Sequence, residues 1–180
     1  PASYVAMELF QWFGCEVELL NYDPAPVPGR PSEPRADTVT EAAGLVKRLG
    51  CDLGSCTDVD ADRALFIDHE GNAVSEDTIG AILALHELKA GDTCVTPITS
   101  SGSIETICRD RGANLEYCGV GAPATSEAIR KFGAAFAYEE SGKYYFPRQN
   151  IWADGLFSGG KLLEVMLRRN MSLKDLAADM

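Results

Sequence analysis

Residues 57–65 read TDVDADRAL, with Asp58, Asp60 and Asp62 at alternate positions and Arg63 directly behind them. In an extended segment the side chains at i, i+2 and i+4 share one face, so three acids spaced this way can converge where consecutive acids could not. Convergence has a cost, because two unit charges about 5 Å apart at an effective dielectric near 20 repel by roughly 3 kcal/mol. A hard divalent cation such as magnesium would supply the compensation, with Arg63 available for a phosphate nearby. On spacing alone, a solvated acidic turn accounts for the same residues equally well.

Two other chemistries fit less well. An EF-hand loop starting at Asp58 requires glycine at its sixth position and glutamate at its twelfth, where this chain has Arg63 and His69. The DVD triplet is similar to the nucleophile motif of phosphatases of the haloacid dehalogenase type. The threonine or valine usual just after that motif is replaced by Asp62 and Arg63, and the loop lies in mid-chain.

Composition narrows the partners. The chain of 180 residues carries a formal net charge of −11 and has no run of lysines or arginines, which argues against nucleic acid. No apolar stretch reaches the roughly 18 residues a membrane span needs, and PASYVAMELF lacks the charged region and cleavage pattern of a signal peptide. A soluble, cytoplasmic protein is expected. Cys15, Cys51, Cys56, Cys94, Cys108 and Cys118 show no C-x-x-C spacing and read as reduced thiols in apolar surroundings, not as a zinc site or disulfide framework. Pro1, in place of a methionine, suggests a piece of a longer chain.

The elements that must position the acids follow from periodicity and punctuation. Ala6, Leu9, Phe10 and Phe13 predict a helix over Ser3–Phe13 closed by Gly14, and Cys15–Leu20 reads as a strand. Pro24, Pro26, Pro28, Pro31 and Pro34 restrict residues 23–34 to an extended loop. Asp37 or Thr38 is expected to cap a helix with the stripe Val39, Ala42, Val46 and Leu49, ended by Gly50. A strand near Cys51–Ser55 then runs into the acids, and ALFID with the turn HEGN forms a hairpin returning through Ala73 and Val74. Ser75 caps a third helix, apolar on nearly all sides. Beyond it the chain alternates strand (93–96), helix (101–111), strand (114–117), helix (123–132) and strand (134–138), the pattern of α/β layers with parallel pairing. KYYFP follows, and Asp154 opens a helix expected to bury Leu156, Leu163, Met166 and Leu167, with Ser172 capping a last turn.

A second constellation is the stretch AYEESGKYYFP (137–147) followed by ADGLFSGGKLLEV (153–165). It resembles the sugar-binding loop and following helix of the α-D-phosphohexomutases, the phosphomannomutase and phosphoglucomutase family. That family's G-E-x-S-G-H is matched by Tyr138, Glu139, Glu140, Ser141, Gly142 and Lys143. Its metal loop D-G-D-x-D-R is matched by Asp58, Val59, Asp60, Ala61, Asp62 and Arg63. Further similarity runs through FGCEVELLN, the loop ending PSEP and the TSS near residue 100, so the resemblance covers essentially the whole chain in the family's order.

The resemblance implies two consecutive three-layer α/β domains with mixed, mainly parallel sheets. Residues 1–74 would be most of domain II, lacking its first strand and carrying the metal loop, and residues 75–180 would be domain III with the sugar loop. It also implies a Mg2+ cofactor held by Asp58, Asp60 and Asp62, with Arg63 close to the transferred phosphate and Glu139 and Ser141 hydrogen-bonded to the sugar's ring hydroxyls. The activity implied is an isomerase that interconverts hexose 1-phosphate and hexose 6-phosphate, of mannose or glucose, through a phosphoserine and a bisphosphosugar. The phosphoserine and arginine-rich phosphate-binding loops would lie on domains absent from these residues, so the isolated chain is expected to be inactive. A non-catalytic metal or sugar-phosphate binding module is the alternative.

Several positions depart from the pattern. Val59 stands where the family has a glycine, which allows positive φ. Tyr138 replaces the first glycine of the sugar loop, where its ring would crowd the sugar or stack beneath it. Lys143 replaces a histidine considered for proton transfer, and a lysine is a poor base near neutral pH unless its pKa is lowered. CGVGAPA (118–124) has neither the lysine nor the histidine that relatives often carry there.

Overall fold

In a computed structural model that describes residues 2–22 and 29–180, the first helix, α1 (Ala2–Trp12), buries none of its residues fully. It rests on the chain's later helix through close approaches: a Cβ on Gly159 would lie 3.0 Å from the Phe10 ring, and one on Gly160 would lie 3.1 Å from Phe13. The strand expected at Cys15–Leu20 does not form. Its alternation survives, with Cys15, Val17 and Leu19 half-buried between exposed Glu16, Glu18 and Leu20. A ladder needs a second strand, however, and none among the described residues pairs with it. Of the proline-rich loop, residues 23–28 lie outside the described residues, and 29–39 contain no helix or strand.

The second helix, α2, spans Thr40–Leu49 and ends at Gly50, whose φ of +69° is the left-handed cap expected there. Neither Asp37 nor Thr38 caps its start, because both side chains are already engaged. Asp37 takes the Arg35 guanidinium, and the Thr38 hydroxyl turns back to the carbonyls of Glu33 and Arg35. Val39 and Val46 are buried with Leu65 and Ile67, whereas Leu49 at the end of the predicted stripe is half exposed.

Strands β1 (Leu53–Thr57), β2 (Ala64–Asp68) and β3 (Ala73–Val74) form an antiparallel sheet in that order. Asp68 closes the β2–β3 turn by accepting from the amides of Glu70 and Asn72, 2.9 Å each. Helix α3 (Glu76–Glu87) follows, capped by Ser75 accepting from the Thr78 amide, and it buries Ile79 through Ala84.

The second sheet holds β4 (Thr93–Pro97), β5 (Asn114–Cys118), β6 (Phe136–Glu139) and β7 (Lys143–Tyr145) in the order β5-β4-β6-β7. β4 pairs parallel with β5 and β6, and β7 returns antiparallel, giving the mixed, mainly parallel α/β sheet expected. Helices α4 (Ser103–Arg111) and α5 (Ala122–Phe132) make the crossovers, and α6 (Gly155–Arg169) and α7 (Leu173–Ala178) end the chain. Strand alternation divides the sheet's side chains between two clusters. Cys94, Phe136, Tyr138, Tyr144 and Phe146 face α3, α4 and α6, while Val95, Ala137 and Tyr145 face Ala128 and Ile129 of α5.

The first of these clusters also takes in Ala64, Phe66 and Val74 of the first sheet, so both sheets share one core. Asp154 caps α6 as expected, accepting from the Phe157 amide. The buried face of α6 is Gly155, Ser158, Gly159, Leu162, Val165 and Met166. Of the expected face only Met166 is buried, and Leu167 is 80% exposed. Small residues take the inner face because backbone and rings approach there too closely for larger ones. No helix among the described residues is long and apolar enough to cross a membrane.

Tyr138 lies entirely within this core, stacked on Phe136, with its hydroxyl 3.0 Å from Asp77 Oδ1. Its ring fills the space that Gly80 leaves: a Cβ there would sit 2.6 Å from a ring carbon. Gly80→Ala gains about 1 kcal/mol in helix propensity, but overpacking against a ring held at its far end costs typically 1–3 kcal/mol. The expected result is a net destabilisation of about 1 kcal/mol, read as a lower urea midpoint. A raised midpoint would show that the ring moves freely.

Candidate metal and sugar-binding loops

The acids sit in the hairpin connection between β1 and β2, whose last and first residues, Thr57 and Ala64, pair across the sheet. Three local contacts shape residues 58–63. The Asp58 carbonyl accepts from the Ala61 amide at 3.3 Å, its Oδ1 accepts from the Arg63 amide at 3.2 Å, and the Ala61 carbonyl accepts from the Gly155 amide at 2.8 Å. A Cβ on Gly155 would lie 2.6 Å from the Arg63 carbonyl oxygen. The start of α6 must therefore be glycine for the acid loop to lie against it.

The left-handed residue of the loop is Ala61, at φ +58°, at a cost on the order of 1 kcal/mol. Val59, at the family's glycine position, is not left-handed, and its side chain is 72% exposed. The left-handed residue of this loop thus lies two positions beyond Val59.

One carboxylate oxygen from each of Asp58, Asp60 and Asp62 lies within 4.8 Å of the others. Asp58 is the most enclosed. Burial pushes its pKa up, the Arg63 amide opposes this, and the charges of Asp62 and Asp60 push it further upward. Asp62 is engaged at Oδ2 by the Lys143 ammonium, while its Oδ1 is buried without a hydrogen-bond partner. An unpartnered buried carboxylate oxygen is costly, and a cation among three hard oxygen donors would relieve that cost. The residues therefore fit a hard divalent ion. Arg63 joins the cluster at longer range, with Nε 3.6 Å from Asp58 Oδ2 and 3.9 Å from Asp62 Oδ1, and its Nη1 binds Glu33.

The EESGK loop is the β6–β7 turn, closed by the Gly142 amide donating to the Glu139 carbonyl at 3.0 Å with Gly142 at φ +84°. It abuts the acid loop directly: the Ala64 amide donates to the Gly142 carbonyl at 2.9 Å, and a Cβ on Gly142 would meet the Ala64 carbonyl oxygen at 2.8 Å. Glu139 is 4% exposed, with its carboxylate taking the Tyr145 hydroxyl. Ser141 is exposed at the tip. Glu140 accepts from the Thr99 hydroxyl at 2.6 Å through Oε1, and its Oε2 is buried without a partner.

The buried Tyr138 ring points into the core, so it neither crowds nor stacks under anything at this surface. Asp77 ties the neighbouring loop in place, accepting from the Ser101 amide and the Tyr138 hydroxyl at 3.0 Å each. The CGVGAPA segment leads into α5 through Gly121 at φ +108°, with Val120 64% exposed.

The sequence assigns no site role to Tyr145, Glu33, Thr99 or Asp77. Tyr145 was the most accessible of them. In a hairpin whose register pairs Glu139 with Lys143, the residue two beyond Lys143 shares its face. Glu33 and Asp77 act across 30 and 61 residues of chain respectively, and local patterns carry no signal over such separations.

Comparison with known proteins bears on the family and the fold. The family model described as phosphoglucomutase/phosphomannomutase, alpha/beta/alpha domain III matches residues 75–180. A probable phosphoglucosamine mutase of Methanosarcina barkeri is 35% identical over 167 residues, 91% of this chain and 38% of its own length. A phosphoglucomutase/phosphomannomutase of Thermococcus kodakarensis is 30% identical over 93% of this chain and 38% of its length. The chain thus spans about two fifths of the curated relatives it matches. In fold, it matches a putative phosphomannomutase from Thermus thermophilus with a TM-score of 0.89 at 18% identity, over 99% of this chain and 42% of that one.

Removing the Tyr145 hydroxyl leaves the buried Glu139 carboxylate without its donor. Tyr145→Phe is expected to destabilise the fold by about 1.5–3 kcal/mol, the range for a hydrogen bond to a charged group. Chemical denaturation at neutral pH measures this, and a loss below about 0.5 kcal/mol would mean that water replaces the hydroxyl.

Proposed function

Because the chain belongs to the phosphoglucomutase/phosphomannomutase family, whose domain III description matches more than half of it, we propose that it is the metal- and sugar-ring-binding part of a cytoplasmic phosphohexomutase. In this reading residues 1–74 belong to domain II, and residues 75–180 are domain III. The whole enzyme interconverts the 1- and 6-phosphates of a hexose, and the relatives' names extend the candidates from glucose and mannose to glucosamine. The observation that carries the reading is the direct junction of the two loops, through the Ala64–Gly142 hydrogen bond and the Lys143–Asp62 ion pair. It brings cation-binding groups beside groups suited to a polyol.

Asp58, Asp60 and Asp62 would hold Mg2+, which when bound offsets negative charge on phosphoryl oxygens. Arg63 stands behind them as a fixed positive group for the transferred phosphate. Glu139 is held in place by Tyr145, keeping a carboxylate at the base of the sugar loop. Ser141 offers a hydroxyl from the exposed tip. Hydroxyl-reading groups of this kind can accept a sugar either way round, which a reaction that reorients its intermediate requires. Lys143 is committed to Asp62, a placement that suits charge compensation better than proton transfer. The six unpaired cysteines accord with a reducing compartment.

Two measurements test this reading. Millimolar Mg2+ should raise the thermal midpoint of the chain by mass action, and Asp60→Ala should abolish the shift while leaving the metal-free fold intact. Identical responses would reduce the cluster to a solvated turn. In the complete enzyme, Glu139→Ala should lower kcat/KM by about 1–3 kcal/mol of transition-state energy, assayed with the 1-phosphates of glucose, mannose and glucosamine. No turnover of any of them by the intact protein would favour a non-catalytic binding module.

A further inference from the structure

The acid loop carries its own cation. Lys143 reaches from β7 to Asp62 Oδ2, with its side chain only 12% exposed. Its register partner across the hairpin, Glu139, is held by Tyr145, so Asp62 is the carboxylate the ammonium binds. Among the described residues, Arg63 is the other cation paired with the cluster, and it is shared with Glu33. Three carboxylates therefore face one dedicated positive charge and one divided one. We propose that Lys143 is a built-in counter-ion of the metal loop, one that keeps the three aspartates together without a metal and competes electrostatically with a divalent cation for them. The proposal rests on the reading that these aspartates bind such a cation.

The physical reasoning is one of charge and shielding. A lysine ammonium is a compact point charge, and at this burial solvent and salt screen it poorly. It stabilises the acids when no metal is bound and repels an incoming dication. Because the ammonium occupies Oδ2 and leaves Oδ1 unpartnered, Asp62 can still offer one oxygen to a metal. Competition thus weakens binding without abolishing it.

The test uses the 180-residue chain, titrated with MgCl2 by calorimetry and followed in thermal melts. Lys143→Met keeps the length of the side chain and removes its charge, and Lys143→Arg restores the charge. Lys143→Met should lower the metal-free midpoint, tighten Mg2+ binding by about fivefold to tenfold and enlarge the Mg2+-dependent shift in midpoint. Lys143→Arg should track the wild type. If Lys143→Met is unfolded without metal, recovery of its circular dichroism on adding Mg2+ supports the proposal, and failure to recover overturns it. A wild type that binds Mg2+ alongside a Lys143→Met variant that binds it no more tightly refutes the counter-ion role alone. If neither chain responds to Mg2+, nor differs from Asp60→Ala, the metal reading falls and this proposal with it.

Discussion

One backbone hydrogen bond, 2.9 Å from the Ala64 amide to the Gly142 carbonyl, joins the loop that gathers the acids to the loop that carries Glu139 and Ser141. Both sides of the junction are constrained to permit it. Gly142 can have no side chain, because a Cβ would strike the Ala64 carbonyl. Ala64 starts β2 where the hairpin ladder resumes. The ion pair between Lys143 and Asp62 follows from this contact, since β7 begins one residue after Gly142.

The junction is rigid because the material beneath it is shared. Phe66 of the first sheet and Phe136, Tyr138 and Tyr144 of the second meet α3 and α6 in a single cluster. Moving one loop relative to the other would break close-packed contacts, which interiors resist. The helix α6 contributes twice. Its inner face of small residues lets the first sheet approach, and its first amide, from Gly155, holds the Ala61 carbonyl of the acid loop.

Two of the positions where the chain departs from the family's motifs, Val59 and Tyr138, have physical accounts. Val59 needs no left-handed backbone, because Ala61 supplies the reversal. Tyr138 occupies the core volume left by Gly80, and its hydroxyl shares Asp77 with the Ser101 amide. Through Asp77 the loop after β4 is tied to the strand that leads into the β6–β7 turn. At Tyr138, a substitution that reads as a loss at the surface is thus a packing solution below it.

Much of this was legible from residue order. Glycine and capping signals located α2's end and the starts of α3, α6 and α7, because those rules act within one turn of backbone. The run ALFID with the turn HEGN located the hairpin, the succession of strands and helices located the parallel pairing, and the spacing of Asp58, Asp60 and Asp62 located the acid loop. Other features were decided only by the tertiary structure. Cys15–Leu20 has the pattern of a strand but no partner among the described residues to make it one, Asp37 and Thr38 are taken from their capping role by Arg35 and Glu33, and the face α6 buries is set by what Gly155 and Gly159 must admit. The pairing of Lys143 with Asp62 spans 81 residues. Local propensity is a property of a few adjacent residues, whereas the partner of a charge, an edge or a helix face is whatever the folded chain brings within a few ångströms of it.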